Sequence, residues 1–178
     1  MDQRIIRVGL GSDTHRLVPG RPFLLGGVEL PSDRGEWGHS DGDVLTHAVI
    51  DAILGAAGLG DIGALFPPSE AAWKDADSIE LLRIAFGLVK EAGWQLINLD
   101  CVVTCESPKI LPYRDRIQSS LAQVLEIPGM AIFVKGKTNE GLGAVGTGQA
   151  VEALAVCLLE KGPREPDRPI GMRKQTPF

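Results

Sequence analysis

GHSDGDVLTHAVIDAILGAAG, residues 38–58, decides how the rest of the chain is read. A glycine-bearing loop, Gly38-His39-Ser40-Asp41-Gly42-Asp43, opens an apolar helix from about Asp43 to Ala57. Ser40 and Asp41 are candidate caps, and Gly58 is a candidate stop. Upstream, Ile5–Gly11 reads as a strand that ends at Asp13-Thr14-His15. Two short apolar pieces, Phe23–Leu25 and Val28–Leu30, are joined by Gly26-Gly27, which predicts a hairpin.

Downstream, residues 60–77 carry Gly60, Gly63 and Pro67-Pro68 and read as a long loop of the kind that often holds function. A second helix is predicted over Ser78–Glu91, a strand over Leu96–Cys105 and a third helix over Pro112–Leu125. A strand over Ala131–Lys137 and a last, Ala- and Val-rich helix over Gly148–Leu159 complete the pattern. The expected fold class is α+β: a single-domain, two-layer α/β sandwich with helices on one face of a small mixed sheet. Residues 1–160 form the domain, and residues 161–178 a Pro- and Arg-rich tail. On the strand near residue 100, Leu99, Cys101 and Val103 point one way, and Asp100, Val102 and Thr104 the other. A subunit interface on that second face would explain its mixed character.

The chain has 178 residues, enough for one domain, with 44% hydrophobic and 23% charged residues. Its net charge of −5 argues against a general binder of nucleic acid or membrane surfaces. No apolar run approaches the ~20 residues of a membrane span, and no signal-peptide pattern opens the chain. Three cysteines, Cys101, Cys105 and Cys157, do not suggest a disulfide framework, so a reducing cytoplasm is expected. Cys101 and Cys105 share a strand face, as half a metal site or as two small buried residues.

All three histidines fall in the first third of the chain. Asp13 and His15, two apart on an extended segment, project from one face and suit zinc; a plain strand end is the other reading. His47 lies on the first turns of the helix, with Asp51 four residues later to orient its ring. Two imidazoles and a carboxylate would leave a fourth position open, as catalytic zinc sites do. His39-Ser40 precedes a helix start, where anions bind or a serine simply caps. Lys109 ends one strand. Lys137, Thr138 and Glu140 end another, where cations and donors could hold phosphate and Glu140 a hard cation such as Mg²⁺. The run Gly141-Leu142-Gly143-Ala144-Val145-Gly146 matches a dinucleotide fingerprint but lacks the following strand and acidic residue that such a site needs.

In combination, these blocks resemble the 2-C-methyl-D-erythritol 2,4-cyclodiphosphate synthase family. The carrying motifs are Gly11–Arg16, Gly38–Asp43 with His47, Gly60–Gly63 with Phe66-Pro67, Asp77-Ser78, Ser107–Pro112 and Lys137–Gly143. The resemblance spans about Val8 to Leu159. It implies a homotrimer whose sheets face the threefold axis and whose active sites lie between subunits. The substrate would be 4-diphosphocytidyl-2-C-methyl-D-erythritol 2-phosphate, cyclised with loss of CMP. Zinc would sit on Asp13, His15 and His47, and a second divalent cation, Mg²⁺ or Mn²⁺, near Glu140. His39 and Thr138 would stabilise the transition state. The substrate would also meet Ser40, then Asp61, Ile62 and Gly63, and the loop from Phe66 through Pro67, Pro68 and Ser69 to Glu70. Cys105, Glu106, Ser107, Pro108, Lys109, Ile110 and Leu111 would form the cytidine pocket, with Lys137, Thr138, Asn139 and Glu140 along the diphosphate. Ala144 and Thr147 depart from the aromatic and arginine common there, which removes the usual basis for a ligand on the trimer axis.

Overall fold

The computed structural model describes residues 4–38 and 40–162. β1 (Ile5–Pro19) runs eight residues past Gly11, carrying Asp13 and His15 inside a strand rather than at its end. The glycine-linked hairpin is present as β2 (Phe23–Leu25) and β3 (Val28–Leu30). A short strand that the sequence does not announce, β4 (Arg34–Trp37), then pairs with the far end of β1. α1 (Val44–Ala57) is capped by Asp43, not by Ser40 or Asp41. Asp43 is fully buried and its carboxylate accepts from Thr46 N (2.9 Å), Thr46 Oγ (2.7 Å), Gly26 N (3.0 Å) and Gly27 N (2.6 Å). One side chain thus caps the helix and pins the hairpin turn to it. Gly58 closes the helix in the left-handed region, as expected.

Residues 60–77 are not wholly loop. They contain a one-turn helix, α2 (Ile62–Leu65), capped by Asp61, and a 3₁₀ turn at Ala71–Trp73. α3 (Ser78–Glu91) has the expected bounds, with Asp77 as its cap. β5 (Gln95–Thr104) follows, and Pro112 belongs to a 3₁₀ turn that leads into α4 (Arg114–Leu125). β6 (Ile132–Lys137) pairs parallel with β5. The glycine run forms one turn, α5 (Gly143–Gly146).

The last expected helix is instead a strand, β7 (Ala150–Lys161). It is the centre of a five-stranded sheet in the order β4-β1-β7-β5-β6. It pairs antiparallel with β1 from Ile5↔Lys161 to Arg16↔Ala150, and with β5 on its other side. Alanine favours helix, but here tertiary packing decides. Ala153, Ala155 and Cys157 face inward and are buried, and their small side chains let α1 lie close on the sheet. Gly9 and Gly11 of β1 serve the same approach: a Cβ on either would stand 2.0 Å from a carbonyl oxygen of α1. The helices cover one face only, as expected. The other face leaves Ile6, Val8, Leu10, Leu154 and Val156 exposed.

On β5, Leu99, Cys101 and Val103 are buried, while Asp100, Val102 and Thr104 are part-exposed, matching the expected alternation. Cys101, Cys105 and Cys157 are free and buried. Burial pushes the Cys101 thiol up to about 12 and the other two to about 11. Cys101 and Cys105 join no metal-ligand cluster among the described residues, so they are packing residues. β7 ends at Lys161; residues 163–178, with most of the expected tail, lie outside the described residues.

Candidate active site

Strand pairing brings the Asp13–His15 side of β1 against the first turns of α1, so that Asp13 reaches both imidazoles. Its Oδ2 stands 2.9 Å from His15 Nε2 and 3.0 Å from His47 Nδ1. The rings meet edge to face with centroids 5.1 Å apart, and each side chain is 11% exposed. The far nitrogen of each ring has its own partner. His15 Nδ1 donates to the Gly42 carbonyl at 2.6 Å. His47 Nε2 stands 2.9 Å from the hydroxyls of Ser40 and Ser78, and Ser78 Oγ in turn donates to Asp41 Oδ1 at 2.5 Å. These partners place the ring protons on the outer nitrogens. Two nitrogen lone pairs and a carboxylate oxygen then converge on one point, an arrangement that can hold a cation.

The electrostatics of the metal-free cluster say the same. Desolvation disfavours charge on both Asp13 and His15, yet their mutual hydrogen bond prevails. It pulls Asp13 well below the usual carboxylate range, helped by His47, and raises His15 to about 10, helped by Glu36. Asp13, His15 and His47 are a three-ligand candidate centre whose ligand atoms lie within 4.8 Å of one another. An oxygen and two imidazole nitrogens suit zinc or a neighbouring transition ion.

The centre opens into a cleft of about 210 Å³ lined by His15, Ser40, His47, Ile62, Gly63, Phe66, Pro68, Trp73 and Leu81. Trp73 stacks edge-on to Phe66 at 5.0 Å. Neither Trp73 nor Leu81 was expected here; the 3₁₀ turn folds the Trp73 indole back to where it donates to Glu70 at 3.2 Å. Asp61 caps α2 through Ala64 N, and Pro67 and Ser69 flank the cleft loop. Asp51 does not orient His47. Its carboxylate accepts from Ile62 N at 2.8 Å, tying α1 to α2, and the serines take the expected role at the ring. His39 lies outside the described residues.

A second cleft of about 350 Å³ is lined by Cys105, Pro108, Lys109, Ile110, Leu111, Arg114, Gly136, Lys137 and Thr138. The ends of β5 and β6 bring these together because the two strands run parallel and stop side by side. Glu106 turns away from it. Its Oε1 accepts from Asn139 N at 2.8 Å and Gly141 N at 3.3 Å, bracing the loop after β6. Thr138 Oγ donates to Glu140 at 2.5 Å, and Glu140 holds a left-handed backbone (φ 52°) that an ordinary residue rarely adopts. Ser107 is exposed beside the buried Pro108. The two clefts share no lining residue.

The YgbB family profile matches residues 6–160. The chain belongs to the YgbB family. Among its YgbB relatives, a 2-C-methyl-D-erythritol 2,4-cyclodiphosphate synthase of Treponema denticola is 54% identical over 154 residues, 86% of this chain and 96% of that protein. A solved 2-C-methyl-D-erythritol 2,4-cyclodiphosphate synthase in a CDP-bound form superposes with a TM-score of 0.80 at 42% identity, covering 86% of this chain and 99% of that one. The bifunctional IspDF of Campylobacter jejuni superposes with a TM-score of 0.87 at 42% identity; 90% of this chain is covered, but it spans only 44% of that longer protein. The α+β fold expected from the resemblance is therefore that of the family.

Proposed function

We propose that this YgbB protein cyclises 4-diphosphocytidyl-2-C-methyl-D-erythritol 2-phosphate to the 2,4-cyclodiphosphate and releases CMP, in non-mevalonate isoprenoid synthesis. The observation that carries the reading is the convergence of Asp13, His15 and His47, with both outer ring nitrogens already bonded, in a chain of this family. In the reaction an oxygen of the 2-phosphate bonds to the β-phosphorus, the bond from that phosphorus to the α–β bridging oxygen breaks, and the bridging oxygen leaves with CMP. The nucleophile is already an oxyanion, so no strong protein base is needed, and catalysis reduces to alignment and charge neutralisation. Zinc on Asp13, His15 and His47, and Mg²⁺ or Mn²⁺ beside Glu140, would polarise the diphosphate and offset its charge when bound.

The chain's own residues divide the substrate between them. Asp61, Ile62 and Gly63, with Phe66 and Pro68, take the methylerythritol part beside the metal centre. The backbone from Cys105 to Leu111 reads the cytosine, with Lys109 and Lys137 drawing in the phosphates. Thr138 and His39 serve the transition state. Ser40 and Ser78 keep the His47 ring fixed while charge shifts.

The two halves of this site come from neighbouring copies in a cytoplasmic homotrimer. Two features support that reading: the separate clefts, and an outer sheet face on which Val8 and Leu10 are 67% and 66% exposed. Bare apolar groups in such a row signal an interface. The test is CMP release by the purified protein with substrate, zinc and magnesium, with phosphorus NMR of the product. A cyclic diphosphate is expected. A linear product would indicate a hydrolase, and nucleotide binding without turnover a sensor; either overturns the proposal.

A further inference from the structure

Glu36, on the edge strand β4, is 0% exposed, and the reaction above gives it no part. A buried carboxylate is costly unless something compensates its charge. Its Oε2 accepts from Val44 N at 2.8 Å, at the start of α1, and stands 3.4 Å from His15 Nδ1. Its Oε1 has no hydrogen-bond partner among the described residues. Arg21 donates to the backbone carbonyl of Glu36 at 3.2 Å, and no described lysine or arginine pairs with the carboxylate. Asp43 nearby is itself a buried carboxylate, held by neutral donors. Among the described residues, the His15 ring is therefore the one cationic partner within ion-pair distance of the Glu36 carboxylate.

We propose that Glu36 is the carboxylate partner of His15, a positioning residue that fixes the ring and strengthens the hold of the Asp13–His15–His47 centre on a divalent cation. The inference rests on that centre being a metal site. Metal-bound histidines usually give their other N–H to a carboxylate or carbonyl, which fixes the tautomer and makes the ring a better donor. His15 has both behind it, Gly42 O in contact and Glu36 next to it. His47 is backed in a parallel way, through Ser78 to the carboxylate of Asp41.

The test is zinc affinity by competition with a chromophoric chelator, together with the thermal midpoint of the metal-free protein. Glu36→Gln keeps the side chain's size and an oxygen for Val44 N, but removes the charge. It is expected to weaken zinc binding about tenfold or more, with the metal-free midpoint unchanged or raised. Wild-type affinity in Glu36→Gln overturns the proposal. So does a lowered metal-free midpoint with unchanged affinity, which is what a merely structural role gives. If Glu36→Gln does not fold, Glu36→Asp retains the charge but withdraws it by one carbon, and an intermediate loss is expected; wild-type affinity there also overturns the proposal. His47→Ala, expected to lose most bound zinc with the fold intact, separates the two ideas. If zinc stoichiometry survives His47→Ala, the metal centre itself is misassigned and the inference falls with it.

Discussion

A histidine ring has two nitrogens, and a metal takes only one, so the partner of the other decides what the ring can do. Here Gly42, Ser40 and Ser78 make that decision. The spacing of Asp13 and His15 was legible, because alternation along a strand is a local rule. The ring partners were not, since Ser78 and Glu36 reach the centre only through the packing of α3 and β4. Asp51 was misread for the same reason: the helical spacing put it near His47, but the bare N–H of Ile62 claims it. A pH prediction follows at this scale. In the folded, metal-free chain His15 holds its proton to about 10, against 6.5 ordinarily. Burial raises Glu36 to about 8 from 4.5. The folded state therefore binds more protons than the unfolded one across both windows, and stability falls as pH rises through them. With a chelator present, the urea midpoint is expected to decline from about pH 6.5 to about pH 10; a rise over that range would contradict the assignment.

Among the elements, α3 and the β2–β3 hairpin were readable because their caps, glycines and periodicity agree. β7 was not. A strand with one polar face shows a period of two, but β7 is apolar on both: Ala153, Ala155 and Cys157 inward, Leu154 and Val156 outward. With the alternation erased, its length and alanines imitate a helix. The same small inner side chains make the β1–α1 contact intolerant. Gly11→Ala would set a methyl 2.0 Å from the Ala48 carbonyl, and backbone cannot give way as a side chain tip can. A loss of about 3 kcal/mol or more is expected in urea denaturation. A loss below about 1 kcal/mol would show that α1 can lift off the sheet.

For the whole molecule, the exposed face of β1, β7 and β5 is the feature that a single copy leaves unexplained. The trimer reading predicts a light-scattering mass near three times 19.0 kDa. Leu10→Glu, in the middle of that face, is expected to give a folded monomer without CMP release, since each copy would then hold only half of a site. A wild-type monomer with full activity would dismiss the shared-site arrangement. The outer face was foreseen only as ambiguous, because Asp100, Val102 and Thr104 mix polar and apolar groups; its apolar part lies on β1 and β7.

The place of β7 at the middle of the sheet sets a timetable for the newborn chain. Ile5 is translated long before its registered partner, Lys161. At ribosomal speeds the wait is on the order of ten seconds. Through that interval β1 and β5 have no strand between them, because each pairs across β7 and never with the other. A nascent chain halted before Ala150 would thus be cut readily by protease along the edges of β1 and β5 that β7 later covers. A chain extended past Lys161 would become resistant in one step, as β7 slots between two strands that have been waiting for it.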